Sequence, residues 1–464
     1  MTAMPDARTA SVDGPLDKTY LEVTLAVLAL VTIVAFESMA VSTAMPAVAR
    51  DLDAVRSYGF AFSVMLTGQL LGIVLAGVWS DRSGPLVGAV TGQALLAGGS
   101  AMCGMATSFP FFLAGRALTG LGGGLLVVML YVIAGRVYPQ QIRPRLFTYI
   151  SAAWVLPSLL GAPISAWLTT NLSWRWVFWG VVPPVLITMA ALAHARRRID
   201  GSDLTAAASG RDHSAHVRAA WSGVGIALSA GALQVGTHEL VLDASPKTGL
   251  ALAGLVGVVV FAPRLVPTGT WLMAPGLPSV LLARALFTGA FYAGITYVPL
   301  FLVGQRGLSL QTAGLSLAVG AIGWAAGAWY QGHTTLHLPR HRLVEVGGLL
   351  LASGLASVSL VAWLDLAWQV VPLALVLTGL AMGVGVTTTT VLALELSPVA
   401  EHGEASSSLQ LADVLGSVLG IAAATALFAA RHVPGQDDAL FGTIFLGLAA
   451  VAAVGIPAGQ RIRV

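Results

Sequence analysis

The sequence is poor in charge: only 10% of its 464 residues are Asp, Glu, Lys or Arg, whereas 56% are hydrophobic. A soluble globular chain carries about 25% charged residues, so this one has too little polar surface to cover itself in water. Cys103 is the only cysteine, which excludes internal disulfides and cysteine-rich metal centres. The nine histidines are scattered and none shows a metal-ligand spacing. A Gly-Lys-Ser/Thr phosphate loop is also missing, so any work the chain does must draw on a gradient and not on nucleotide hydrolysis. The first nineteen residues lack the basic-then-apolar pattern of a cleaved signal peptide, and the first span is expected to serve as its own signal.

Long apolar runs take the place of charge. They fall at 20–45, 58–79, 86–106, 110–135, 147–169, 177–195, 221–241, 248–267, 278–303, 310–331, 343–363, 370–393, 406–429 and 439–459. Each is about long enough to cross a ~30 Å hydrocarbon core as a helix. The runs are continuous and do not alternate, which excludes a barrel. Fourteen spans put both termini on one side. With that side cytoplasmic, sixteen Lys/Arg lie in inner segments, six in outer ones, and Arg116 and Arg284 within spans. This is the positive-inside distribution.

The halves repeat. LTGLGGGLLVVMLYVIAGRVYP (118–139) aligns with LTGLAMGVGVTTTTVLALELSP (377–398), and VLPSLLG (155–161) with VLGSVLG (414–420), both at an offset of 259. The expected layout is a cytoplasmic tail (1–19), a six-helix bundle (20–195), a cytoplasmic linker with two extra spans (196–277), a second six-helix bundle (278–459) and a short cytoplasmic tail (460–464). Internal repeats of this kind mark secondary transporters, which bind substrate near the midplane between the repeats.

Several motifs in order resemble those of the major facilitator superfamily, in its fourteen-span drug:proton antiporter branch. FESMAVSTAMP (36–46) is similar to the first-helix pattern L-D-x-T-V-V-N-V-A-L-P, with Glu37 at the aspartate and Met39 at the threonine. GVWSDRSGP (77–85) matches the loop motif after the second span at Gly77, Asp81, Arg82 and Gly84, but Pro85 and Leu86 replace its basic pair. Arg116, Gly120 and Gly122 match R-x-x-x-G-x-G in the fourth span. SLLGAPISAW (158–167) keeps Pro163 of the antiporter signature G-x-x-x-G-P-x-x-G-G, with Ser158, Ala162, Ala166 and Trp167 at its glycines. SWRWVFWGVVP (173–183) follows, and GEASSSLQLADVLGSVLG (403–420) carries Asp413 where arginine is common.

The resemblance implies an all-α polytopic protein of the plasma membrane, not an enzyme. It would export hydrophobic or cationic small molecules against protons by alternating access, without a cofactor beyond the proton gradient. Export of a lipid or secondary metabolite is the alternative. A membrane-embedded sensor or enzyme would need a signalling domain or a catalytic cluster, and neither is seen. The expected partners are a small-molecule substrate, protons and membrane lipids, with no nucleic acid, and the chain is expected to act as a monomer.

An ionised carboxylate inside hydrocarbon is costly, so Glu37 is expected to face a cavity or a partner. At ~1.5 Å per residue it lies about 12 Å inside its outer helix end, and Arg116 about 9 Å inside its own. The two are read as the proton-carrying carboxylate and the cation that tunes it. Asp413 and Arg284 form a second possible pair, either a gate or protonation site or a static tie between helices. The resemblance makes Gly77, Asp81, Arg82 and Gly84 a conformational latch and Gly161, Ala162 and Pro163 an antiport determinant. Trp174, Trp176 and Trp179 are read as an interfacial belt. Gln69, Tyr131, Gln234, Tyr292, Tyr297 and Gln410 are candidate cavity residues.

Overall fold

The computed structural model describes residues 14–139, 141–195, 213–239, 246–264, 266–333, 338–398 and 402–462. Every regular element among them is a helix. The N-terminal half comprises α1 (Leu21–Asp51), α2 (Phe60–Gly104), α3 (Phe109–Val137), α4 (Arg143–Asn171), the one-turn α5 (Arg175–Trp179) and α6 (Val182–His194). The central helices are α7 (His213–Glu239) and α8 (Pro246–Phe261). The C-terminal half comprises α9 (Leu277–Gly304), α10 (Leu310–His333), α11 (Arg340–Trp363), α12 (Val370–Glu395), α13 (His402–Arg431) and α14 (Asp438–Gln460).

The second and third expected spans form the two arms of α2, which breaks at Gly84 (φ 78°, ψ 164°) immediately before Pro85. That φ is open to glycine and strained for other residues, which places the turn. Expectation and structure part at the centre of the chain. Twelve segments of the described residues are long and apolar enough to cross a membrane, not fourteen. α8 has 16 residues, or ~24 Å of helix against a ~30 Å core. α7 has 27 residues, but glycine, serine and Gln234 dilute its apolar run. The expected linker lies largely outside the described residues, which resume at 213.

Small residues let the helices touch, because association in a membrane relies on close packing and not on water-driven burial. A Cβ on Gly120 would lie 1.9 Å from the Met65 carbonyl oxygen, and one on Gly124 2.1 Å from that of Gln69. Their partners at the 259-residue offset do the same between α12 and α10. A Cβ on Gly379 would lie 2.0 Å from the Gly320 oxygen, and one on Gly383 2.2 Å from that of Trp324. The sequence repeat is therefore a repeat of one helix-packing device.

The two ends of the bundle differ. Around a cavity of about 490 Å³, the last turn of α1 (Arg50) meets the ends of α9 (Leu300, Gly304) and α13 (His432). This is the far end. At the opposite end the N–H of Gly276, just before α9, donates to the carbonyl of Arg461, just after α14. One apolar core toward the far end joins both halves, with Met45, Tyr58 and Phe112 beside Tyr297, Phe301 and Phe428. A second core, including Leu30, Ala76, Met129 and Tyr138, is drawn entirely from the N-terminal half.

The packing makes a sharp prediction. Gly120→Val should cost about 1–3 kcal/mol by overpacking, whereas Gly123, whose added Cβ would meet nothing within 4 Å, should accept alanine with no loss. Thermal unfolding of the two purified variants in detergent checks this, and equal midpoints would refute the assignment.

Candidate functional site

Glu37 and Arg116 meet. Arg116 Nη1 donates to Glu37 Oε1 at 2.5 Å, and each side chain is 2% exposed. The two residues meet at one depth, and of the cavity or partner expected for Glu37 it is the partner that is present. The pair is shut inside the N-terminal half, where α1, α3 and Cys103 pack against one another. Arg116 Nε has no hydrogen-bond partner among the described residues, so the guanidinium is held at one edge.

The second pair is built differently. Arg284 Nη2 donates to Asp413 Oδ2 at 2.8 Å, and Nε donates to Oδ1, a two-point fork. The remaining nitrogen donates to the Val386 carbonyl (2.6 Å) and to the hydroxyls of Thr389 (3.1 Å) and Thr390 (3.0 Å). Such bidentate pairing fixes orientation as well as charge. The Asp413 side chain stays 27% exposed. Tyr292 and, from the other half, Tyr131 stand within electrostatic reach of it, and Tyr131 is 50% exposed. This cluster therefore faces the space between the halves and gathers four residues singled out in the sequence.

The far end is sealed. The Tyr58 and Tyr297 rings lie 5.7 Å apart, Tyr297 packs on Phe428 at 5.4 Å, and the Tyr297 hydroxyl donates to Thr425 at 3.2 Å. A Cβ on Gly59 would lie 2.1 Å from the Thr425 hydroxyl oxygen and 2.4 Å from that of Tyr297. Only glycine allows so close an approach of the start of α2 to α9 and α13. Tyr297 thus belongs to a seal and not to an open cavity, contrary to expectation.

Nearby, Asp51 at the end of α1 accepts from Trp174 Nε1 and from Arg175 Nη1, both at 3.0 Å. Trp174 is buried, whereas Trp176 is exposed, so the expected tryptophan belt is only partly present. Across the seal, Arg306 pairs with Asp365 (3.1 Å) and Asp438 (3.0 Å). Neither Tyr58, Thr425 nor Arg306 stands out in the sequence, because partners far apart along the chain give them their meaning.

The α4 motif sits at a helix crossing. A Cβ on Gly161 would lie 3.1 Å from Met39 Cβ, and the Ala162 carbonyl lies against Gly314 of α10. Two residues past Pro163, Ser165 donates to the Ala40 carbonyl at 2.5 Å. Among the other cavity candidates, Gln234 is buried and donates to Thr67 at 3.0 Å, a packing role. Gln69 and Gln410 are half-buried. The side chains of Asp81 and Arg82 lie outside the described residues, as does the burial of Gly77, so of the latch only the Gly84 turn is seen.

Comparison with known proteins agrees with this architecture. The chain is 25% identical over 412 residues to the multidrug transporter protein MdtP of Bacillus subtilis, covering 86% of this chain and 73% of that one. It is 25% identical to a probable multidrug-efflux transporter of Mycobacterium tuberculosis, covering 90% and 89%. An MFS-type transporter of the same organism is 26% identical, and the match spans 60% of its length. Among solved structures, a peptide transporter POT in complex with alafosfalin superposes with a TM-score of 0.70 at 14% identity, covering 97% of this chain and 98% of that one. The D-xylose-proton symporter gives 0.64 at 16%, covering 96% and 100%; at such identities the likeness concerns the fold. The sequence pattern of the Major Facilitator Superfamily matches residues 27–421, and the chain belongs to that family as a multi-pass membrane transporter.

Proposed function

We propose that this chain is a proton-coupled exporter of hydrophobic or cationic small molecules, of the fourteen-span drug:proton antiporter type, working by alternating access in the plasma membrane with both termini cytoplasmic. The observation that carries the reading is the buried Glu37–Arg116 pair, a titratable carboxylate in contact with its counter-charge at membrane depth. Buried acid–base pairs inside spans mark ion pathways, and the named multidrug transporters among the relatives favour export of drug-like molecules. In the proposed orientation the far end is extracellular. The conformation seen is then sealed outside and accepts substrate from the cytoplasm.

The coupling follows from the geometry. With Glu37 ionised, the pair ties α1 to α3. In the arrangement open at the far end, a proton arriving from outside neutralises the carboxylate and removes that tie, leaving Arg116 uncompensated. The bundle then favours an arrangement that rehydrates the guanidinium. Closing back to the arrangement described here re-forms the 2.5 Å contact and expels the proton inward. Asp413, more accessible and already fixed by Arg284, is suited to meeting the polar pole of the substrate or a second proton.

Three experiments test this. In proteoliposomes, Glu37→Gln is predicted to retain binding of a fluorescent lipophilic cation while losing more than about tenfold in pH-gradient-driven efflux, as expected for a coupling carboxylate; undiminished efflux would sink the proposal. A double-mutant cycle separates coupling from mere structure. Glu37→Leu and Arg116→Met should each cost about 3–5 kcal/mol of stability, and the double variant much less than their sum. A double variant that regained both stability and driven efflux would reduce the pair to a packing tie. Gly59→Val should force the seal apart, so that a cysteine at Thr425 in a Cys103→Ser background reacts faster with an external maleimide. Unchanged labelling would mean that the far end is not a gate.

A further inference from the structure

The central helices α7 and α8 have no counterpart in the repeat, and the proposed transport cycle makes no use of them. They form one unit. A Cβ on Gly254 would lie 2.2 Å from the Leu233 nitrogen, and one on Gly236 2.3 Å from the Ala251 nitrogen, so backbones touch along the hairpin. Gly225 and Gly257 make similar approaches to Phe261 and Ser229. Backbone contact at several levels leaves no room for the two helices to move independently.

The hairpin packs on both halves at once, over the seam where α2 meets α13. Ile226 and Ala230 of α7 share a core with Leu70 of α2 and with Val414, Leu415 and Val418 of α13. The two sides of this contact differ in kind. Toward α2 there is a part-buried polar tie, Gln234 Nε2 to Thr67 Oγ1 at 3.0 Å. About three turns earlier along α7, a Cβ on Gly223 would lie 2.1 Å from Val74 Cγ2. α7 is thus keyed to the first arm of α2 at two points. Toward α13, aliphatic side chains meet aliphatic side chains. Such a surface exchanges one neighbour for another with little change in energy, whereas a buried hydrogen bond loses about 1–3 kcal/mol when its partner is withdrawn.

We infer that the α7–α8 hairpin is a lateral seal that travels with the N-terminal half and slides on α13. It covers the α2–α13 seam against lipid while the halves rock, and the apolar face of Val414, Leu415 and Val418 is its slip plane. This rests on the alternating-access reading. It gives the hairpin a task that neither six-helix half can do alone, since a seam that opens and closes within the bilayer exposes the polar interior to acyl chains.

Spin-label distances test it without relying on transport. In a Cys103→Ser background, nitroxides are placed pairwise at three exposed leucines, Leu172 in the N-terminal half, Leu228 on the hairpin and Leu373 in the C-terminal half. Distances are measured in nanodiscs for the wild-type bundle and for Glu37→Gln. The expected result is a shift in the 172–373 and 228–373 distributions with 172–228 unchanged. If 172–373 shifts while 172–228 shifts with it and 228–373 stays fixed, the hairpin rides on the other half and the inference falls. It falls equally if both hairpin distances change. If 172–373 itself does not shift, alternating access is what fails, and the seal falls with it. A second arm joins Thr67→Cys to Gln234→Cys, or Ile226→Cys to Leu415→Cys, with a short bis-maleimide. Gradient-driven efflux should survive the first link and be lost with the second; the reverse pattern, or loss with both, overturns the slip plane.

Discussion

A charge cannot be left alone in hydrocarbon, and the bundle is organised around that constraint. Transferring an isolated ion out of water costs far more than the few kcal/mol by which a folded protein is stable. Glu37 is therefore affordable only because Arg116 arrives at the same depth from another helix. That requirement fixes the relative height of α1 and α3, and the glycines at 120 and 124 then fix how closely α3 lies against α2. Arg284 imposes the same kind of order on the C-terminal half. Its five donors reach Asp413, a carbonyl and two threonines, drawing α9, α12 and α13 to one point. Breaking such a pair on one side is costly, because the partner stays buried and uncompensated.

The two pairs nevertheless do different physical work. Glu37–Arg116 is a single contact in a closed site, with one guanidinium nitrogen lacking a partner among the described residues. Arg284–Asp413 is a saturated fork at the edge of open space. A loosely held, dry pair responds strongly when its charge changes, since little else restrains it and no water relieves it. A saturated pair resists change and presents a fixed electrostatic face. In the proposed cycle this asymmetry gives the N-terminal half the switch and the C-terminal half the stable surface.

Much of this was legible in the sequence, for identifiable reasons. Hydropathy marks helices because a lipid-crossing segment must satisfy its own backbone, so the twelve strong spans could be read directly. Glu37 and Arg116 announced themselves as charges in apolar runs, and arithmetic on helix rise placed them at one level. The 259-residue repeat aligns Gly120 with Gly379 and Gly124 with Gly383, and the structure packs all four in the same way. What was hidden was everything decided by rotation about a helix axis. Rise gives depth but not facing, so of the two surroundings expected for Glu37, a cavity or a partner, only the partner is met, and Tyr297 was expected in a cavity and lies in a seal. Gln234 had the right polarity for a ligand contact and is used to dock α7. The central pair is the weakest part of the span reading, because α8 is short and glycine, serine and Gln234 dilute the apolar run of α7.

The seal at the far end shows why such facing matters to mechanism. Tyr58, Tyr297, Thr425 and Phe428 are ordinary residues one at a time, and they close the bundle only because Gly59 has no side chain to hold them apart. Among the described residues this closure holds no ion pair across the halves, and the Tyr297–Thr425 hydroxyl bond lies within the C-terminal half. The paired charges around it are heavier fixtures. Asp51 with Trp174 and Arg175 keeps the N-terminal rim intact, and Arg306 with Asp365 and Asp438 keeps the C-terminal rim intact. Each of those ties stays within its own half. At the far end the described residues place aromatic rings and hydroxyls, and no ion pair, between the halves. In the proposed cycle a proton bound at Glu37 releases a charge tie inside the N-terminal half, and the rims then part without breaking an ion pair.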